Sequence, residues 1–139
     1  MKPKISPQDY RNILEALELS NISMVDSSFR LRDENISKSL SIEIAEKFTF
    51  EQKDNVLTVS YSYKLHAQSA EMAEPAISIT AKYSVKYAVT KDVIVTKDFM
   101  IVFSDLTVSM LLWAYFREYV NNSVYRMGMP PLVLGLKKK

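Results

Sequence analysis

The stretch Leu57-Thr58-Val59-Ser60-Tyr61-Ser62-Tyr63-Lys64-Leu65-His66-Ala67 decides the fold. Apolar and polar residues alternate through it without a break. Successive side chains of a strand point to opposite faces. Leu57, Val59, Tyr61, Tyr63, Leu65 and Ala67 therefore make one apolar side, and Thr58, Ser60, Ser62, Lys64 and His66 make a polar one. A strand wet on one face belongs to an antiparallel sheet, because parallel strands are buried on both faces and read apolar throughout.

The neighbouring runs repeat the pattern. Downstream, past a loop over Ala70 to Pro75, Ile77, Ile79, Ala81, Tyr83, Val85, Tyr87 and Val89 alternate with Ser78, Thr80, Lys82, Ser84 and Lys86. Upstream, Leu40, Ile42, Ile44, Phe48 and Phe50 share a face that only Glu46 interrupts, and Lys53-Asp54-Asn55 supplies a hairpin turn. Earlier still, Ile22 and Met24, then Phe29 and Leu31, form a strand from about Asn21 with a bulge or break near Ser27. Asp33-Glu34-Asn35 makes a polar turn. Runs of roughly ten residues or more exceed the usual strand, so the sheet is expected to be tall and twisted.

Helical spacing flanks the strands. Ser6 is placed to cap a short helix, with Pro7 at its first position, Asp9 in its first turn, and Tyr10, Ile13, Leu14 and Leu17 on one face. After the ambiguous Val93 to Val95, Asp98 to Phe103 reads as a turn or two of helix. Asp105 reads as the cap of a long helix reaching about Met127, which Gly128 and Pro130-Pro131 end. Leu106, Met110, Trp113, Phe116, Val120, Val124 and Met127 mark its apolar stripe. The expected class is α+β: a four-stranded antiparallel sheet with a short N-terminal helix and a long C-terminal helix packed on one face, one domain over residues 1–139.

Composition removes most chemistry. The 139 residues include two Gly, one His and no Cys. Disulfides, thiolate zinc sites, multi-histidine metal cages and glycine-rich phosphate loops are all excluded. The 18 basic side chains fall to 15 without Lys137, Lys138 and Lys139, and to 13 without Lys2 and Lys4, against 16 acidic ones. The basic excess thus sits at the two ends, which is not the clustered face that nucleic acid calls for. No signal peptide and no apolar run of membrane-spanning length is visible, so a cytoplasmic protein without membrane insertion is expected.

His66 lies on a polar strand face beside Lys64 and Gln68, as an exposed sheet residue would. Glu71 and Glu74 sit in a loop with nothing nearby to desolvate either. No catalytic constellation and no cofactor motif is present. The excess is apolar instead: seven Met, eight Tyr and six Phe are many large side chains for one such sheet. Ile22, Met24, Phe29 and Leu31 fall on a candidate edge strand, where exposed apolar surface is costly unless a partner covers it. Core packing and a subunit interface also account for large apolar residues. A small-ligand-binding α+β protein, with Tyr61, Tyr63, Tyr83 and Tyr87 lining a cavity, is a further alternative, although strand packing explains the same tyrosines.

Near the C-terminus, Leu112-Trp113-Ala114-Tyr115-Phe116-Arg117-Glu118-Tyr119-Val120 and Met127-Gly128-Met129-Pro130-Pro131-Leu132-Val133-Leu134 resemble the SecB family of export chaperones. Tyr115, Arg117, Glu118, Gly128, Pro130 and Leu132 fit that family's helix and tail, whereas Trp113, Ala114 and Met129 replace its Phe, Pro and aromatic. Asn21-Ile22-Ser23-Met24-Val25 resembles its opening strand, and the element order matches over most of residues 20–136.

The resemblance implies ATP-independent holding of unfolded or aggregation-prone client polypeptides in an apolar groove, for protein export, by a homotetramer that is a dimer of dimers. It implies no enzyme activity and no cofactor. Client contact is expected from Ile22, Met24, Phe29, Leu31, Phe48, Phe50, Met127, Met129, Leu132 and Val133. The acidic positions by which export members engage the motor SecA read Asn21 and Val25 here, and Asp26 takes the second position only if the strand shifts by one residue. SecB-like proteins also serve as dedicated chaperones of antitoxins in toxin–antitoxin–chaperone systems, an alternative that these lost carboxylates leave open.

Overall fold

A computed structural model of the chain describes residues 4–37 and 40–129. The elements run α1 (Pro7–Leu14), β1 (Leu17–Leu31), a 3-10 turn (Asp33–Asn35), β2 (Ser41–Lys53), β3 (Val56–Gln68), β4 (Ile77–Val89), α2 (Lys97–Phe103), a π turn (Ser104–Val108) and α3 (Ser109–Arg126). The four strands form one antiparallel sheet in the order β1-β4-β3-β2. The long strands of the sequence are present: β1 has 15 residues and the others 13 each.

Local chemistry explains the boundaries. Ser6 Oγ accepts the Asp9 N–H at 3.1 Å and Pro7 opens α1, as its residues predict. So short a helix persists only by docking, which it does through buried Ile13 and through Tyr10, whose ring lies 4.8 Å from that of Phe99. β2 and β3 join through Asp54 and Asn55, where Asp54 adopts φ 56°, a left-handed conformation that a short polar side chain tolerates. Helix α3 ends before Gly128, whose φ of +76° suits a residue without Cβ. Gln52 straps the ambiguous segment after β4 to the sheet: its Nε2 donates to the Val93 carbonyl at 2.9 Å, and its Oε1 accepts from the Val95 N–H at 2.7 Å.

Two expectations need correction. β1 begins at Leu17 rather than near Asn21. Its irregularities fall between Leu19 and Asn21 and between Met24 and Asp26, rather than near Ser27. Each bulge inserts one unpaired residue and so flips the alternation. Leu17 and Leu19, then Ile22 and Met24, then Phe29 and Leu31 all end on the same face although their spacing changes twice.

Asp105 is not a cap. The helix is continuous through it, and the cap is Thr96, whose Oγ1 accepts the Phe99 N–H at 3.2 Å. The π turn explains the phase. A regular helix places residues three or four apart on one side, so the face of Phe99 and Phe103 would continue through 107, 110 and 114. The π turn inserts one residue. The buried side becomes Val108, Leu112, Phe116, Val120 and Val124, while Leu106 and Met110, expected in the stripe, stand 52% and 40% exposed. By length and composition the helix over 97–126 would also pass for a membrane span, as core helices do, but here one side of it packs on the sheet.

The layer between helix and sheet is aromatic. Tyr63 stacks on Phe116 with centroids 4.4 Å apart, Tyr83 meets Tyr115 edge-on, and Tyr87 meets Phe103 edge-on. Burial raises the pKa of Tyr83 and of Tyr87 from 10.0 to about 12, with the charge of Glu118 adding to the effect on Tyr83. The folded state thus keeps protons that the unfolded chain releases above pH 10.

Two outcomes follow from this packing. Stability is fully present below pH 10 and falls as the pH rises from 10 toward 12; urea midpoints at pH 9 and 11, together with phenolate absorbance, check this. Deleting Leu106 converts the π turn to regular helix and keeps the same side on the sheet, lowering the melting midpoint by only about 5 °C, or roughly 1–2 kcal/mol. Deleting Glu118 instead swings Val120 and Val124 by about 100° away from the sheet and abolishes cooperative melting by circular dichroism.

Candidate functional site

A helix is about 10–12 Å across, and strands lie about 4.8 Å apart. One helix can therefore cover two strands of this sheet and no more. The central strands are the covered pair. The inward residues of β3 and β4, from Leu57 to Ala67 and from Ile77 to Val89, are all buried. The inward sides of the edge strands β1 and β2 stay partly open.

On β1 the register aligns Ile22 with Val85, Met24 with Tyr83, Phe29 with Ile79 and Leu31 with Ile77, so these four side chains share the helix-facing side. Met24 is 40% and Phe29 44% exposed, whereas Ile22 and Leu31 are half-buried. Leu19 and the bulged Val25 add exposed apolar surface that sequence reasoning did not single out. β1 is also an outer strand, so among the described residues its edge offers unpaired backbone groups beside these side chains.

Phe48 and Phe50 also face inward, paired with Tyr61 and Val59, but they lie on β2 at the opposite edge. Three strand spacings, roughly 14 Å, separate the two groups. The structure therefore brings Ile22, Met24, Phe29 and Leu31 together and sets Phe48 and Phe50 apart. Met127 and Met129 are half-buried against the core just past α3. The helix passes Tyr87 at Phe103 and Tyr83 at Tyr115, so its C-terminal end points toward the Ile77 end of β4, where Leu31 pairs. Leu132 and Val133 lie outside the described residues.

Glu46, the carboxylate that interrupts the inward side of β2, accepts a 2.7 Å hydrogen bond from the Tyr61 hydroxyl. Burial, then this bond, holds the Tyr61 phenol far above its ordinary pKa. Tyr61, Tyr63, Tyr83 and Tyr87 are all buried and packed ring against ring or helix, as core side chains are, rather than disposed around a ligand cavity. A second apolar area was missed in the sequence. Leu106, Met110 and Tyr115, on the first half of the long helix, are between 40% and 52% exposed. A regular helical period assigns Leu106 and Met110 to the core, and only the π turn turns them outward.

The outer side of the sheet is polar. His66 lies there half-buried, in register with Glu43 and Ser78. Glu74 belongs to the loop before β4, ion-paired with Arg32 at 3.0 Å. Among the described residues no group of His, Cys, Asp or Glu could hold a metal ion. Asn21 faces outward opposite Lys86. The bulge at Val25 supplies the one-residue shift that carries Asp26 to the outer side, where it stands opposite Lys82.

Comparison with known proteins places this geometry. No family model and no curated protein matches the chain. Among solved structures it is similar to a SecB-like chaperone of Mycobacterium tuberculosis, solved in complex with a peptide from an antitoxin: TM-score 0.77 and 15% identity, covering 94% of this chain and 97% of that one. A protein of unknown function from Streptococcus agalactiae aligns at a TM-score of 0.43 and 10% identity, over 86% of this chain and 98% of that one. The four-stranded antiparallel sheet, the short first helix and the long last helix together are a SecB-like fold.

Proposed function

We propose that the protein is a SecB-like chaperone that holds unfolded or aggregation-prone polypeptides without ATP. The observation that carries the reading is β1: an outer strand whose exposed apolar residues Met24 and Phe29 lie beside an unpaired backbone edge. An extended client can add its backbone to such an edge and bury its own apolar side chains against the same strand. Backbone pairing is indifferent to sequence, and methionine adapts to many shapes, so the recognition is broad. Holding is burial alone, with no bond made or broken. The fold supports the reading, since the similar mycobacterial structure is a chaperone solved with a peptide.

The active form is a homotetramer, a dimer of dimers, working in the cytoplasm. The exposed Leu106, Met110 and Tyr115 on the outer side of the helix would be buried between copies. Four protomers would multiply weak client contacts into a useful avidity.

The client is either exported protein in general or one dedicated antitoxin. The second reading is favoured by the antitoxin peptide in the similar structure and by the uncharged Asn21.

The deciding experiment is suppression of aggregation of unfolded clients, one tetramer per client, with no nucleotide. Suppression is expected. Met24→Asp and Phe29→Asp together should weaken client affinity about tenfold, roughly 1.4 kcal/mol. Full aggregation beside the wild-type chain would sink the holding activity, and unchanged affinity in the double variant would sink the β1 site. Protection of many unrelated clients would point to export, and protection of very few to a dedicated partner. Light scattering should give about four times the 16.0 kDa chain mass, falling to a smaller species with Leu106→Asp and Met110→Asp.

A further inference from the structure

The outer face of the sheet has a charge pattern that holding unfolded chains does not use. The central strands β3 and β4 contain no carboxylate, and on the outer face they present Lys64, Lys82 and Lys86 among serine and threonine hydroxyls. Lys64 is paired with Ala45 and Thr80, which makes it the diagonal neighbour of both Lys47 on β2 and Lys82 on β4. Diagonal positions lie roughly 7–8 Å apart, so three lysine positions are gathered at this point with Lys64 between the other two. They surround a depression of about 360 Å³ lined also by Ser62, Thr80 and two carboxylate residues, Asp26 and Glu46, the latter engaged by the Tyr61 hydroxyl.

A sheet serving only its own stability would set acidic partners across from these lysines. Directly across from the three only Lys82 has one, Asp26; Glu43 lies diagonal to Lys64, and none of the three forms an ion pair among the described residues. The concentration is notable because the chain without its terminal lysines is slightly acidic.

We propose that this outer face, centred on Lys47, Lys64 and Lys82, docks an acidic polypeptide segment. Lysine ammonium groups attract carboxylates through space, and the hydroxyls around them supply hydrogen bonds to side chain or backbone. A polypeptide fits better than a nucleic acid for two reasons. The face carries no Phe, Tyr or Trp on which a base can stack, and its one imidazole, His66, is half-buried. The edge strands carry outward carboxylates around the lysines, Glu18 and Asp26 on β1 and Glu43 and Glu51 on either side of Lys47 on β2, which repel a continuous phosphate backbone but leave room for a short acidic segment over Lys47, Lys64 and Lys82. The surface is separate from the client-holding side, so an acidic partner and an unfolded client can be bound together.

The test uses the full chain and a fluorescein-labelled peptide of alternating glutamate and serine, read by anisotropy. The peptide should bind, and its affinity should fall about tenfold between ~20 and ~200 mM salt. Lys47→Gln, Lys64→Gln and Lys82→Gln together should weaken it about tenfold, and Lys64→Gln alone about threefold. Lys91→Gln, whose ammonium pairs with Glu15 elsewhere, should change nothing. Affinity for an uncharged unfolded client should be the same in the triple variant. The proposal is overturned if the peptide fails to bind at low salt, if both lysine variants bind it as the wild type does, or if an oligothymidine of equal length binds more tightly.

Discussion

One helix must cover four strands, and it is wide enough for two. This mismatch governs the molecule. The aromatic layer between α3 and the central strands, with Tyr63 stacked on Phe116 at its middle, seals β3 and β4. Among the described residues nothing of comparable width remains for the inward sides of β1 and β2, and their large apolar residues stay partly in water. Exposure at the sheet edges is thus a consequence of layer geometry rather than of imperfect packing.

Two kinds of irregularity make that geometry workable. The bulges of β1 change its alternation twice, so residues of both parities reach the inward side of a single strand. The π turn changes the phase of the last helix once, so that α2 and α3 both present buried residues to the sheet and Leu106 and Met110 are left outside. Each device inserts one residue into a regular element. Each turns what would be a continuous internal stripe into a division between covered and uncovered surface.

The two faces of the sheet then carry different physics. The inward side offers apolar area next to an open strand edge, suited to non-directional burial of extended chain. The outward side offers lysines among hydroxyls, suited to charge recognition that steers encounter and depends on salt. Because strand side chains alternate, the same residues of β3 and β4 that pack the aromatic layer hold the lysines at fixed spacing on the opposite surface.

Period-two alternation from Leu57 to Ala67 and from Ile77 to Val89 was enough to specify antiparallel strands, their faces and their lengths, because burial on one side imposes that period directly. The N-cap at Ser6, the turn at Asp54 and the stop at Gly128 were legible for the same local reason. Ile22, Met24, Phe29 and Leu31 could be named as exposed edge candidates, yet their meeting on one face depends on two bulges that only pairing with β4 fixes. The separation of Phe48 and Phe50 onto the opposite edge depends on strand order, a long-range property that no local pattern encodes. The side of the last helix that meets the sheet was likewise set by tertiary contact: the π turn was accepted so that Phe103 and Phe116 could both reach the sheet, and a regular period read from the sequence could not anticipate it.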